Sequence, residues 1–390
     1  MLITKCCLDK LQLEVYDSIS DLDAKTWNNT LAMGHPFKTH GFIRACELAL
    51  PHRQYRYFKI SVPMSNPMPI GLFFGTEEKV DLASEANSCL RSLLRGLRKI
   101  RLQSGYLTVA MLGCRETSGR HWWFSNKLDS KQHIPIISRS LELGFPQAVV
   151  RVIRDLENEH VDYQLLHSQL IAHKFYRAMN YPLALISLDG QSWEQHCLRL
   201  KANCRKVLNR MTSKFLQSNW RIAHYHDQFL PMEVLYEQYL NTHREAREFK
   251  REALPFAFFK CVREECHVVI SVLYDQENQA RSFIFSGISD IIINPFVFGR
   301  DYYSGNDVNS YYALHLDLIK TYNNNGVKKI DLGITNYFVK QTFGAHLQRN
   351  SIYMKIGNPL LNMLFGRALA KHFDISQPRE RSVFKHDDQT

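Results

Sequence analysis

No stretch of this 390-residue chain reaches the roughly 18 to 20 consecutive apolar residues of a membrane span, so integral membrane association is not expected. The opening residues MLITKCCLDKLQLEVYDS hold no apolar core of signal-peptide length, and the expected location is the cytoplasm. GxSxG, HExxH, GxGxxG ahead of a helix and GxxxxGK[ST] are all missing, which disfavours an α/β-hydrolase, a zincin, a Rossmann enzyme and a P-loop NTPase. There is no CxxC either. The nine cysteines, with Cys6 and Cys7 adjacent and Cys197, Cys204 and Cys261 single in apolar or helical surroundings, read as reduced thiols rather than a disulfide framework. Cys261, Cys266 and His267 lack a second ligand pair, and His224 and His226, alternating beside Asp227, lack a third histidine nearby. No metal is expected.

What is present is ample. With 45% hydrophobic and 22% charged residues the chain can build two domains, each with its own core. The formal charge of +11, from 49 Lys and Arg against 38 Asp and Glu, favours a polyanionic partner: RNA, a phosphorylated cofactor or an acidic membrane surface.

Periodicity divides the chain into strands and helices that run through one plan and then restart. A strand over 11–23 precedes two short helices around His35-Pro36-Phe37 and a hairpin from YRYFKISV and MPIGLFFG. Helices are expected over 81–100, 147–159 and 170–180, with strands YLTVAMLG and LALISLDG. The second half opens with a helix from Trp193, followed by WRIAHYHD, a helical pair over 230–262, the strands HVVISVLY and ARSFIFSGIS, the helix SYYALHLDLIKTYNNNG and the strand VKKIDLG. The expected fold class is α+β, mixed sheet with flanking helices, in two lobes spanning 10–185 and 186–373. The polar tail over 374–390 is expected to be flexible. The amphipathic stretch NPLLNMLFGRALAKHF is read as a packed terminal helix in preference to a membrane anchor, its basic last turn being an ordinary complement to the helix dipole.

Two segments carry candidate chemistry. From Trp193 to Phe215, Trp193, Cys197, Leu200, Cys204, Val207, Met211 and Phe215 recur at three- and four-residue steps and mark a core face. Arg199, Lys206, Arg210 and Lys214 fall on a neighbouring stripe with no acidic residue between them, a landing place for the phosphates of a donor or a merely solvated face. In the second segment, over 310–346, Gly326 stops a helix, Ile330 and Leu332 bury one side of a strand and Asp331 faces the other. Beyond Gly333 a polar loop carries Thr335, Asn336, Tyr337 and Lys340. An amide-forming site needs a carboxylate to take a proton from the attacking amine and a donor for the oxyanion, and Asp331 and Lys340 supply one of each. The alternative is a locally capping Asp331 and a surface Lys340. His35, Tyr302 and Tyr303 are candidates to line a cleft between the lobes, with Tyr303 as a general acid, or are core residues.

The order of these elements resembles the GNAT-fold N-acyltransferases related to the Fem peptidoglycan-bridge transferases. The resemblance rests on Gly326, Asp331, Gly333, Lys340, Phe343 and Gly344 in the second half, on Trp27, Pro36, Phe37 and Glu47 near the start, and on WEQHCLRLKANCRKVLNRM as the basic helix opening the second lobe. It implies tandem GNAT-like lobes. The candidate substrate-binding residues are His35, Phe37, Thr335, Asn336 and Tyr337. It also implies direct attack of a substrate amine on an acyl thioester or aminoacyl ester, which agrees with the lack of a nucleophile signature. No tightly bound cofactor is expected, the acyl thioester being a co-substrate. The pyrophosphate-binding pattern of acetyl-CoA users is absent, its nearest string, RSLLRGLR, lacking the second glycine. Three readings stay open: N-acyl transfer from acyl-CoA or an acyl carrier protein to the amine of a small molecule or peptide, aminoacyl transfer from charged tRNA to a peptide or cell-wall precursor, and an inactive GNAT-like module binding nucleic acid or protein.

Overall fold

The computed structural model describes residues 1–8, 10–63, 68–81, 106–188, 190–226, 230–246, 252–302, 308–323 and 327–385. The helix expected over 81–100, the RSLLRGLR string, Asp227, Tyr303 and Gly326 lie outside the described residues, the helix save for its first residue. The chain forms two compact units, one of 1–31, 50–180 and 349–376 and the other of 32–49, 181–348 and 377–390. The units are thus interleaved in sequence, in place of the consecutive lobes 10–185 and 186–373.

The first unit is built on nine strands among the described residues. β1 (Leu2–Leu8), β2 (Leu11–Tyr16), β3 (Gln54–Ser61), β4 (Pro69–Asp81) and β5 (Tyr106–Leu112) follow one another antiparallel, with β6 (Trp122–Phe124) alongside β4. β7 (Val150–Glu157) runs parallel to β5, and β8 (Tyr176–Met179) closes the sheet. The chain's last strand, Asn350–Ile356, lies antiparallel between β7 and β8. Side chains alternate between two cores as strand geometry requires. Ile153 and Tyr353 face the helices His133–Gly144 and Tyr163–Ala172 with Phe58, Phe73 and Leu141, while Val152 and Met354 face Ala370 of the helix Pro359–His372. The helix expected over 147–159 is β7. Its run VRVI is buried on both faces, which erases the period-two signal, and its charged residues imitate a helical surface. The helix expected over 170–180 starts earlier and ends at Ala172, because Lys174 takes a left-handed φ of 64° and Tyr176 begins β8.

The second unit carries seven strands among the described residues. In chain order they are β9 (Leu183–Ser187), β10 (Arg221–Tyr225), β11 (Val268–Tyr274), β12 (Ala280–Ile288), β13 (Ile292–Arg300), β14 (Lys329–Asp331) and β15 (His346–Gln348). β10 to β13 form an antiparallel meander, β14 joins β13 in parallel, and β9 lies antiparallel between β14 and β15. The parallel ladder pairs Ile292 with Lys329 and Ile293 with Ile330 and goes no further, although β13 continues to Arg300. The sheet therefore opens beside Asp331. Its core gathers Ile186, Trp193, Leu208, Ile284, Leu314, Ile330 and Phe343.

The helix expected from Trp193 to Phe215 is two helices, Trp193–Arg199 and Ala202–Gln217. Leu200 and Lys201 between them are extended, and Arg205 donates to the carbonyls of Leu198 and Leu200 at 3.1 and 2.8 Å, covering acceptors that the break exposes. The tail is not loose over 374–385. Lys201 N–H donates to Val383 O at 2.8 Å, Arg381 N–H to Gln341 Oε1 at 2.6 Å, and Val383 is buried. Deleting 377–390 is expected to destabilise the second unit by about 2 kcal/mol or more, the transfer value of one buried valine, read as a lower denaturant midpoint. An unchanged midpoint would show that the tail's contacts add nothing.

Candidate active site

The carboxylate of Asp331 ends β14 on the side opposite Ile330, buried to 4% exposure. A lone ionised carboxylate is costly to bury, so its surroundings decide its state. Gly333 N–H donates to Oδ1 at 2.8 Å. His35 caps the short 3-10 turn Pro36–Lys38, its Nδ1 accepting from Phe37 N–H at 3.2 Å. That bond places the ring proton on Nε2, which faces Asp331 Oδ2 at 3.9 Å, beyond hydrogen-bonding reach. Burial pushes the Asp331 carboxyl up, and the His35 ring, the Gly333 N–H and Lys329 outweigh it, holding the group below the usual carboxylate range. Burial dominates at His35 and lowers its pKa against the pull of Asp331, with Lys38 and Lys329 adding to the lowering. The site holds an anion beside a neutral imidazole.

The loop that follows is conformationally demanding. Gly333, Thr335 and Asn336 have φ of 70°, 65° and 50°. Gly333 adopts this region freely, and a Cβ there would meet nothing within 4 Å, so open space adjoins the Asp331 carboxylate's backbone donor. Thr335 is β-branched and pays for the left-handed region in strain, of order 1–3 kcal/mol, as residues at ligand sites often do. The loop leads into the helix Tyr337–Thr342, where Tyr337 OH donates to Pro182 O at 3.0 Å and the buried Lys340 ammonium donates to Ile334 O. Gly344, φ 89°, ends this turn, and a Cβ there would lie 2.4 Å from His196 Nε2. His196 in turn donates to Phe343 O at 2.9 Å. The Phe-Gly pair is thus fixed by a buried histidine behind it.

Of the residues singled out in the sequence, the structure brings His35 and Asp331 together and strings Thr335, Asn336, Tyr337 and Lys340 along the loop and helix that follow. Phe37 is core, packed on Phe42 and Phe296 at ring distances of 4.8 and 4.7 Å, and does not line the site. Tyr302 is half-exposed under the Arg300 guanidinium, 4.0 Å from its ring. Arg199 leaves the basic stripe, because it sits on the shorter helix, donates to Gln191 and lies 5.4 Å from the Phe384 ring. Lys206, Arg210 and Lys214 are exposed on Ala202–Gln217, and no ion pair or hydrogen bond of theirs occurs among the described residues. Arg381 stacks 4.0 Å over Phe338 and donates to Thr342 Oγ1, adding a cation next to Tyr337–Thr342.

Other polar constellations have local explanations. His224 lies between Ser271 Oγ and Asp317 Oδ2 at 2.8 and 2.9 Å, a Ser–His–Asp order, but Ser271 is fully buried and no substrate carbon reaches its oxygen. His226 pairs with Tyr322 OH at 3.0 Å. In the first unit a cleft of about 200 Å³ is lined by Arg56 and Glu77 with Gln54, Leu143 and Gln147. It lies on a different sheet from the Asp331 loop.

His315 was not legible as a site residue. On the helix Ser310–Asn323 its Nδ1–H donates to Tyr311 O at 2.7 Å and its ring stacks on Tyr311 at 3.9 Å. Burial drives its pKa down to about 3, with Lys340 adding to the lowering. Below the ordinary value of 6.5 the unfolded chain binds a proton that the folded His315 refuses until about 3, so stability falls as pH drops through that window. His315→Gln is expected to flatten the pH dependence of unfolding free energy there by as much as about 1.4 kcal/mol per pH unit. Parallel wild-type and variant curves would show that His315 titrates normally.

No family model matches the sequence, and no curated protein matches it. Among solved structures the fold is similar to FemX, with 9% identity, a TM-score of 0.60, and 88% of this chain and 98% of FemX covered. A conserved protein of unknown function from Bacteroides thetaiotaomicron VPI-5482 is similar at 8% identity and TM-score 0.53, covering 87% of this chain and 98% of that one. At such identities the likeness speaks for architecture alone: this chain is an α+β protein whose fold is similar to that of FemX.

Proposed function

We propose that this chain is an N-acyltransferase in which a substrate amine attacks an acyl thioester directly. The observation that carries the reading is the buried Asp331 carboxylate, kept ionised next to open space at Gly333 on a left-handed loop. In the proposed reaction the ammonium first gives up one proton, the neutral amine nitrogen bonds to the acyl carbon, the carbon–sulfur bond breaks, and the departing thiolate takes up the second proton that the nitrogen sheds as the amide forms. Asp331 holds the incoming ammonium and relays its proton towards solvent. Its lowered pKa suits anchoring better than strong base catalysis. Lys340, whose ammonium also donates to Ile334 O, is the proposed donor to the oxyanion. Lys206, Arg210 and Lys214 meet the phosphates of the donor, acyl-CoA or the phosphopantetheine of a carrier protein.

A second reading, aminoacyl transfer from charged tRNA, is favoured by Lys206, Arg210 and Lys214, which make no ion pair among the described residues, within a net charge of +11, and by the fold similar to that of FemX. An inactive binding module has no need of an ionised carboxylate in burial beside a loop with Thr335 left-handed.

The test combines native mass spectrometry with turnover, using acyl-CoA species and charged tRNA as separate donors. With the donor that binds, Asp331→Asn is expected to lower kcat by about 10²–10⁴ and Lys340→Gln by a comparable factor. The double variant Arg210→Gln/Lys214→Gln is expected to raise the donor KM with kcat kept. Full turnover in Asp331→Asn would remove the site from this loop, and binding of tRNA alone would select the second reading.

A further inference from the structure

The helix Pro359–His372 is held to the first unit by a narrow strip. Asn362, Gly366 and Ala370 are its buried residues. Asn362 donates to Lys174 O at 2.9 Å and accepts from Ile356 N–H at 2.8 Å, so the helix cannot roll without leaving two backbone groups unpaired. Gly366 presses its backbone on the next strand, where a Cβ would stand 2.5 Å from the Tyr176 ring. Asn358 caps the start, accepting from Leu361 N–H at 3.0 Å, with Pro359 at the first helical position.

This anchoring turns the apolar side chains outward. Leu360, Leu361, Met363, Leu364 and Phe365 are between 44% and 66% exposed, five large apolar residues in the first two turns of one helix. Soluble surfaces carry such residues singly, and a contiguous group marks an interaction site. At about 100° per residue, Arg367 and Lys371 continue the line of Leu360 and Leu364, and His372 follows Leu361 and Phe365. All three basic residues are exposed, and the helix contains no acidic residue. The outer face is apolar at one end and cationic at the other.

We infer that this face docks the protein reversibly on an anionic lipid bilayer, the apolar residues entering the interface and Arg367 and Lys371 meeting lipid phosphates. Charge complementarity decides the occupant. A second copy of the same face offers Arg367 and Lys371 only like charges or apolar side chains, whereas anionic headgroups are a counter-charge above a hydrocarbon layer, the pairing that interfacial amphipathic helices use. The helix lies on the surface and does not span it; no helix among the described residues is long and apolar enough to cross a membrane.

The experiment is flotation of the full chain with phosphatidylcholine vesicles, with and without phosphatidylglycerol, at low and high salt. Binding is expected to the mixed vesicles, weakening as salt rises. Arg367→Gln and Lys371→Gln are each expected to weaken it roughly fivefold, the factor for about 1 kcal/mol per surface charge. Leu364→Ser/Phe365→Ser should abolish binding with the circular dichroism spectrum unchanged. Because these side chains are exposed and serine adds no charge, neither misfolding nor repulsion from the lipid accounts for that loss. Three results would overturn the inference: no flotation of the wild type with mixed vesicles, flotation unaffected by the double serine variant but lost in Lys206→Gln/Arg210→Gln/Lys214→Gln, or a dimer by sedimentation that the serine variant dissolves.

Discussion

Keeping Asp331 ionised out of water is the constraint around which the second unit's site is arranged. A carboxylate at this depth needs favourable potential brought to it, and the chain provides it from three places: the N–H of Gly333, the ring of His35 at 3.9 Å and the charge of Lys329. To bring its N–H back to the side chain two residues earlier, the backbone turns sharply at Gly333, and the left-handed Thr335 and Asn336 carry it into Tyr337–Thr342. That short helix delivers Lys340 into burial, where the Ile334 carbonyl receives its charge. The bond between the buried anion and Gly333 N–H therefore accounts for the sharp turn of the loop, and the short helix beyond it carries Lys340.

The parts of this arrangement that rest on local rules were legible in the sequence. A short strand ending in Asp331, a glycine to break it and a polar stretch with Lys340 are visible as periodicity and punctuation. The partner His35 was legible only as a residue of interest before a Pro turn, since pairing it with Asp331 is a tertiary fact. His196 and His315 left no local trace, because a buried histidine at helical spacing looks the same whether or not it holds a carbonyl. β7 and the break at Leu200 failed for a shared reason: the hydrophobic period persists through both. In β7 two buried faces blur the alternation, and at Leu200 the core face continues from one helix to the next while the backbone does not.

The same break sorts the basic residues by what they do. Arg205 is spent on the carbonyls that the break exposes, Arg199 on Gln191 and the Phe384 ring, and Lys201 on Ser382. Lys206, Arg210 and Lys214 are left facing water on the longer helix. Net charge alone does not make this division. A cation tied to a backbone carbonyl is a structural element with a fixed geometry, whereas one projecting from a helix with no acidic neighbour contributes to the long-range potential that draws phosphates in.

The interleaving of the two units bears on how the protein is made. During synthesis His35 emerges early, inside a segment that belongs to the second unit, and its carboxylate partner follows only after nearly all of the first unit has left the ribosome. The strand Asn350–Ile356, inserted between β7 and β8, arrives later still, and Arg379 and Arg381, which secure Tyr337–Thr342 through Gln341, come after it. Neither unit completes its fold before the other is largely translated. The usual order, with an N-terminal domain settling before its successor appears, is unavailable to this chain, and the nascent protein must keep β7 and β8 apart until their shared neighbour arrives.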